Sequence, residues 1–470
     1  MNKFYITTTL PYVNDNSHIG FALEIIQADA IARYHRTIGE EVIFNFGLDE
    51  HGLKIYRKAQ EMQKNPQEYC DEFASAWNKL KEGLGLSYTN FIRTTDKHHV
   101  LAAQEFWKRC LKNGDIYKKN YKAKYCVGCE LEKTDSELTD GRCPVHPNLE
   151  VETIEEENYF FRFSKYQERL LDFYEKHADF VMPEVKFNEI KSFVKSGLND
   201  FSISRLKTKM PWGIDVPDDP DHVMYVWFDA LINYISTLDW PEDLKKFQDF
   251  WPGIQVAGKD NLRQQTAIWQ AMLMSAGLPN SKQIFIHGFI TVNGQKISKS
   301  LGNVVNPLDL VKKYGTDPIR YYLLSQIPNY DDGDFSEERL KEVYNADLAN
   351  GLGNLAARAA KLCEREGITG PNAKLEMDTE VQKLLQEYKF NEALHYIWEK
   401  IRKEDVFFNE KQPWKQRGQE LKETLLHSVK TLQQIAIDLQ PFLPETAEKL
   451  RQQFSGSIKT QSSLFPRLYE

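Results

Sequence analysis

A strand, a loop, a helix and a second strand follow one another within residues 3–46, and that order constrains the fold more than any other feature. Lys3 to Thr9 mixes Thr with aromatic residues, the composition of a short strand. The turn-rich Pro11-Tyr12-Val13-Asn14-Asp15-Asn16-Ser17 follows and ends in a helix cap. Ile19 to Arg36 then repeats Ala22, Ile25, Ile26, Asp29 and Ala32 along one helical face, and Glu41 to Phe46 reads as the next strand. A βαβ unit of this kind demands a parallel sheet, with its ligand edge where loops leave the C-terminal ends of the strands.

Residues 116 to about 220 change character, with a Cys/His cluster, the acidic Glu155-Glu156-Glu157 and several Pro-bounded elements, as an insertion would. The α/β pattern resumes with Met224-Tyr-Val-Trp-Phe228, Ile254-Gln-Val-Ala257 before Gly258, and Ile284-Phe-Ile-His287. From about Tyr344 the strand signals fade. Leu348, Leu352, Leu355, Ala359 and Leu362 make one helical stripe, Phe390, Leu394, Ile397 and Ile401 a second, and Leu421 to Leu439 a third, so an antiparallel helix bundle is expected.

At 470 residues the chain has room for three or four domains, and its 60 Lys+Arg and 68 Asp+Glu are interspersed, which excludes wholesale disorder. The net charge of −8 argues against indiscriminate nucleic-acid binding but leaves room for a local basic face. No run approaches the ~18 apolar residues of a membrane span. The N-terminus lacks a basic region followed by an apolar one, and six cysteines are too few for a disulfide scaffold. A cytoplasmic protein without a membrane partner is expected, and a monomer.

Three constellations carry chemistry. His18-Ile19-Gly20-Phe21 sits between the first strand and its helix. There Gly20 lets backbone approach a phosphate, the helix N-terminus favours anions and His18 can donate a hydrogen bond. Alone it reads equally well as a capped helix start. Lys296-Ile297-Ser298-Lys299-Ser300 places two lysines around small hydroxyl residues, a cationic clamp for a polyphosphate; alone, it could be a solvated basic turn. Cys126-x2-Cys129 and Cys143-x2-His146 are two close pairs with the tetrahedral spacing of Zn²⁺. Three thiols and one imidazole fill four positions, so the metal is expected to be structural; reduced thiols beside a chance His are the alternative. Cys70, Cys110 and Cys363 have no partner at ligand spacing.

The first two motifs together resemble the two signatures of class I aminoacyl-tRNA synthetases. Thr9-Leu-Pro-Tyr-Val-Asn14, Asp49-Glu-His-Gly52 and Tyr225-Val-Trp-Phe-Asp-Ala230 are similar to the methionyl-tRNA synthetase branch, through nearly the whole chain. The resemblance implies ATP-dependent ligation of methionine to a tRNA with a CAU anticodon, through methionyl-adenylate, with Mg²⁺ accompanying ATP and one structural Zn²⁺. It implies an α/β protein with a Rossmann-type parallel-sheet catalytic domain in two halves, 1–115 and 223–290. A zinc-knuckle insertion at 116–222, a signature-loop and stem-contact module at 291–343 and a helical anticodon-binding domain at 344–470 complete it. By resemblance His18, Gly20, Lys296 and Lys299 are catalytic, and Asn14, Glu24, Gly258 and Asp260 join His18, Gly20 and Lys299 around ATP. Leu10, Tyr12, Asp49, Trp227, Ala230, Tyr234 and Trp269 form the methionine pocket, with Asp49 on the α-ammonium; each aromatic taken singly could instead be core. Asn350, Asn354 and Arg358 share a helix face, and by resemblance Asn354, Arg358, Pro413 and Trp414 read the anticodon, Pro413-Trp414 lying in a loop-like stretch from Phe408. A solvated face and a Trp capping the bundle are the alternative.

The chain departs from the family pattern at Phe21, where the second signature histidine is lost, at Gln264-Gln265, where a Phe-His pair is usual, and at Asn261, where an aliphatic is usual. The Gln pair leaves open a class I ligase for another side chain, and Phe21 a catalytically weak paralogue that binds tRNA.

Overall fold

The structure, a computed structural model, describes residues 2–13, 17–297, 302–372 and 375–468. Its centre is a six-stranded sheet built from β1 (Lys3–Thr8), β2 (Glu41–Leu48), β3 (Asn90–Arg93), β4 (Val181–Met182), β5 (Ile254–Gly258) and β6 (Gln283–His287). All pairings are parallel, in the spatial order β3-β2-β1-β5-β6-β4. The strand order reverses between β1 and β5, so a crevice opens there beyond the strands' C-terminal ends. The strands are buried on both faces, which is why Ile254–Gly258 and Ile284–His287 are apolar runs with little alternation.

Helix α1 (Ile19–Thr37) starts where expected, but its cap is His18 and not Ser17 at the end of the turn-rich loop. His18 takes an extended conformation and its Nδ1 accepts from the backbone N of Phe21, satisfying one of the orphan donors of the first turn. The helix is buried almost all round, more than its single apolar face suggests, because it runs beneath both the sheet and the helical domain. Asp29 pairs there with Arg33 at 2.7 Å and with the fully buried Arg320 at 2.8 Å. Arg320 lies on helix α2 (Thr316–Ser325) and donates to the carbonyls of Leu84, Pro441 and Phe442. One guanidinium thus ties α1 to the C-terminal bundle.

The stretch expected as an insertion contains an antiparallel four-stranded sheet of Leu131–Lys133, Ile116–Cys126, Glu152–Phe161 and Phe201–Ser202. It also returns β4 to the main sheet. Tyr225 to Phe228 differs from a sheet strand: Asp219–Met224 pairs in a separate small antiparallel sheet, and Val226–Ala230 is a short helix whose residues pack under the cleft. The C-terminal region is helical, with α3 (Asn354–Arg365), α4 (Phe390–Lys411) and α5 (Gly418–Leu439) burying the three stripes, apart from the half-buried Leu362. A π-helical turn, Tyr344–Gly353, leads into α3. Among the described residues no helix is long and apolar enough to cross a membrane.

Candidate active site

Two cavities, of about 550 and 500 Å³, meet at the crevice between β1 and β5. Both are bounded by Thr9, Pro11, Tyr12, His18, Asp260 and Asn261, so one continuous cleft has two arms.

The first arm gathers His18, Gly20, Glu24, Gly258, Asp260 and Lys296. Burial lowers the His18 pKa, which keeps the ring neutral near pH 7. Because Nδ1 already accepts from Phe21, the ring proton belongs on Nε2, which becomes a donor. At Gly20 a Cβ would lie 3.1 Å from His18 Nδ1, and at Gly258 one would lie 2.8 Å from Asp260 Oδ1; both glycines keep the floor of the arm clear. Glu24 is a knot rather than a free carboxylate. It accepts from Thr9 N (2.8 Å), Thr9 Oγ1 (2.6 Å), Gly258 N (3.2 Å) and His287 Nε2 (3.0 Å), fastening the ends of β1, β5 and β6 to α1. Burial disfavours the His287 imidazolium, but the hydrogen bond and charge of Glu24, the Gly288 carbonyl and the Asp260 charge together outweigh it and raise the pKa above the ordinary histidine value. Burial, aided by the nearby Glu24 charge, raises that of Asp260. Lys296 is exposed on a small sheet, Gln295–Lys296, Ile290–Val292 and Gly333–Phe335, at the rim. Phe21 packs edge-on against Trp77 (5.0 Å) and lines the arm as an apolar wall. Asn14 and Lys299 lie outside the described residues.

The second arm is lined by Leu10, Tyr12, Asp49, Trp227, Ala230 and Tyr234. Trp269 stands one layer behind, fully buried, its ring 5.8 Å from that of Tyr234. Asp49 follows β2 and is held by backbone bonds from its own N to Pro11 O (3.0 Å) and from Val13 N to its O (3.2 Å). Burial first, then the neighbouring Asp229 carboxylate, pushes its pKa well above the usual carboxylate range, so a cation placed beside it would favour its ionisation. Gln264 and Gln265 face this arm from the start of a π-helical turn, Gln264–Ile268, and the Gln264 Oε1 has no partner among the described residues.

The Cys/His cluster forms part of the same wall, through Gly128, Cys129 and His146. Among the described residues, Cys126, Cys129, Cys143 and His146 bring their ligand atoms within 4.8 Å of one another. Cys129 Sγ lies 3.2 Å from His146 Nδ1 and 3.5 Å from Cys143 Sγ, and Cys126 Sγ lies 3.8 Å from His146 Nδ1. Bonds of about 2.0–2.3 Å to a central ion give such separations, so the donor set fits zinc. Gly128 is required here, since a Cβ would come within 2.5 Å of the imidazole. Cys70, Cys110 and Cys363 are buried apart from it.

A family described as class I tRNA synthetases of the M type matches residues 4–153 and 146–360. The methionine–tRNA ligase of Thermotoga maritima is 43% identical over 97% of this chain and 76% of its own length, and that of Nostoc sp. is 41% identical over 98% and 92%. A solved Mycobacterium tuberculosis methionyl-tRNA synthetase in complex with methionyl-adenylate superimposes with a TM-score of 0.93, at 34% identity over 99% of this chain and 100% of that one. The chain belongs to the methionyl-tRNA synthetases.

At the far end of this synthetase's helical bundle, Asn350 and Asn354 are exposed and Arg358 is half-buried. Arg358 bonds Asp405 (3.0 Å) and Asn409 (2.7 Å), and its guanidinium lies 5.1 Å from the Phe408 ring and 5.6 Å from that of Trp414. Trp414 is 40% exposed, an unusual fraction for the largest apolar side chain, while the adjoining Pro413 is buried. The expected loop is shorter than the sequence suggests: α4 continues through Lys411, and the turn begins at Gln412, whose φ is +47°. Sequence reasoning passed over two residues that line the synthetase's cleft, His287 and Lys54, and the buried Glu130 behind it. His287 closes the Glu24 knot; Lys54 lies 5.4 Å from the Tyr12 ring; Glu130 bonds Lys54 N (2.7 Å) and takes the Trp227 indole N–H on its carbonyl (3.2 Å). Only the ends of β6 and the zinc spacing hinted at any of them.

Proposed function

We propose that this synthetase joins methionine to tRNA at the confluence of the two arms. The observation that carries the reading is the shared boundary: the arm lined by His18, Gly20 and Lys296 opens directly into the arm where the buried Asp49 lies among aromatic and aliphatic groups. Asp49 receives the α-ammonium, whose charge relieves that of the buried carboxylate. Leu10, Tyr12, Trp227, Ala230 and Tyr234 surround the thioether, and Trp269 backs them.

The methionine carboxylate attacks the α-phosphorus of ATP in line. An O–P bond forms, the bond to the β,γ-unit breaks, and pyrophosphate leaves with the electron pair. A terminal ribose hydroxyl of tRNA then attacks the carbonyl, and AMP departs. The nucleophile is already an anion, so positioning and charge stabilisation suffice. The His18 Nε2–H contacts the phosphates, with Gly20 giving them access, and Asn14 joins in binding ATP. Lys296 and Lys299 stabilise the pentacoordinate phosphorus and the leaving group. Asp260 accepts from a ribose hydroxyl over Gly258, and Glu24 acts by holding both strand ends. Mg²⁺ accompanies ATP. A zinc ion on Cys126, Cys129, Cys143 and His146 would hold the wall of the amino-acid arm rigid.

Asn354, Arg358, Pro413 and Trp414 read a CAU anticodon, by amide and guanidinium hydrogen bonds and a stacking ring. We place the enzyme in the cytoplasm as a monomer. Charging of tRNA transcripts tests this part. Trp414→Ala should lower charging of the CAU transcript about 5- to 150-fold, the loss of about 1–3 kcal/mol of stacking, with ATP–pyrophosphate exchange unchanged. Equal charging of transcripts with any anticodon would refute the assignment.

A further inference from the structure

The wall of the amino-acid arm that departs from the family pattern holds two glutamines in different states. Gln265 is engaged at both ends of its amide. Its Oε1 takes the Nε2–H of Gln255 at 2.9 Å and its Nε2 donates to the Tyr234 oxygen at 2.6 Å, so Gln255, Gln265 and Tyr234 form a chain. The backbone carbonyl of Gln265 is occupied too, by Gln270 Nε2 at 2.8 Å. Gln264, one residue earlier, has no such engagement. It is 9% exposed and lines the arm with Ala230, Tyr234 and Asn261, yet among the described residues neither atom of its side-chain amide has a hydrogen-bond partner. Asn261 does not supply one, since its Nδ2 donates to Asp260 Oδ1 at 3.2 Å.

A buried polar group left bare costs about 1–3 kcal/mol. Methionine recovers little of that at Gln264, because a thioether sulfur is a weak acceptor and brings no donor. With no described partner fixing the amide, a half-turn about its last bond presents either Nε2 or Oε1 to the arm. An occupant with a strong acceptor oxygen near the sulfur position takes the N–H that methionine leaves idle. We propose that Gln264 opens the arm to oxidised methionine, so that the chain binds and adenylates L-methionine sulfoxide, with the sulfoxide oxygen accepting from Gln264 Nε2. The substrate class is narrow: a side chain of methionine's length with one added acceptor oxygen and no added donor. The reaction is the one given above. A carboxylate oxygen bonds to the α-phosphorus, pyrophosphate leaves with the electron pair, and the sulfoxide is neither reduced nor oxidised. At about 500 Å³ the arm has room for the extra oxygen. Methionine stays the better substrate, because a thioether enters the arm without giving up hydrated polar surface. This inference rests on the adenylation reading above, and it gives the Gln264 departure from the family pattern a consequence for selectivity.

The test measures ATP–pyrophosphate exchange with L-methionine and with L-methionine sulfoxide freed of methionine, the adenylate formed being identified by its mass. The wild-type protein should exchange with both. Gln264→Met keeps the length of the side chain and removes the amide, and Gln264→Leu removes it with a shorter one. Each should raise the methionine/sulfoxide ratio of kcat/KM about fivefold, the worth of ~1 kcal/mol, through a raised KM for the sulfoxide. Wild-type exchange with methionine and none with the sulfoxide would overturn the proposal. So would an unchanged ratio in both variants, or equal losses for the two substrates. Wild-type protein that exchanges with neither substrate would defeat the adenylation reading and this one together.

Discussion

Asp49→Asn separates binding from stability, because the two should move in opposite directions. The carboxylate is buried, its pKa is pushed well up by burial and by Asp229, and its backbone bonds to Pro11 and Val13 survive the substitution. Among the described residues its one side-chain bond is a long one, 3.4 Å from His51 N. Without methionine, the wild-type protein loses stability as pH rises through the elevated Asp49 pKa, since the folded state then holds a charge the unfolded chain would solvate better. Asparagine removes that loss, so at pH 8 the variant should melt at or above the wild-type temperature. Binding goes the other way. Removing one partner of a buried ion pair strands the substrate ammonium, a cost of about 3 kcal/mol, on the order of 100-fold in kcat/KM for methionine. ATP–pyrophosphate exchange measures it, and the KM for ATP should stay within threefold. The wild-type KM for methionine should also rise as pH falls through the Asp49 pKa, and the variant's should not follow it. A loss below tenfold, or a melting temperature several degrees below wild type, would refute the reasoning.

Three other perturbations test separate parts of the site. Glu24→Gln sets an amide NH₂ against the Gly258 N–H and should raise the KM for ATP about tenfold with little effect on methionine; equal effects on both would show that Glu24 does more than hold the nucleotide floor. Gly128→Ala drives a Cβ into the His146 ring, so metal analysis of the purified variant should find well under one zinc per chain, and the KM for methionine should rise because the knuckle walls its arm. Arg320→Met leaves the buried Asp29 with Arg33 as its one described cation, beside its bonds from Ser87, and orphans three carbonyls. Thermal melting should show a loss of about 3–5 kcal/mol, and an unchanged melting temperature would dismiss the buried knot as a stabilising link.

The opening βαβ unit was legible because its signals are local: a turn-rich loop ending at Ser17, helical spacing to Arg36 and β-rich segments on either side. The zinc donors were legible for the same reason, as Cys126 and Cys129 announce themselves by spacing alone. Tyr225 to Phe228 misled because a short apolar run has no period to separate a strand from a buried helical turn. The Glu24–His287 knot joins residues 263 apart, and the Gln255–Gln265–Tyr234 chain crosses a strand, a π-helical turn and a helix; no local pattern encodes either. The Gln pair was visible as a departure in sequence, but which of the two amides is engaged depends on Gln255 and Tyr234, brought there by the fold.

The most direct measurement of the central claim is ATP–pyrophosphate exchange by the purified protein, without tRNA, against each of the twenty amino acids. Exchange with methionine alone is the predicted result. Exchange with another amino acid instead would keep the chemistry and overturn the substrate. Silence with all twenty would contradict the account of an adenylating site formed by His18, Asp49 and Lys296.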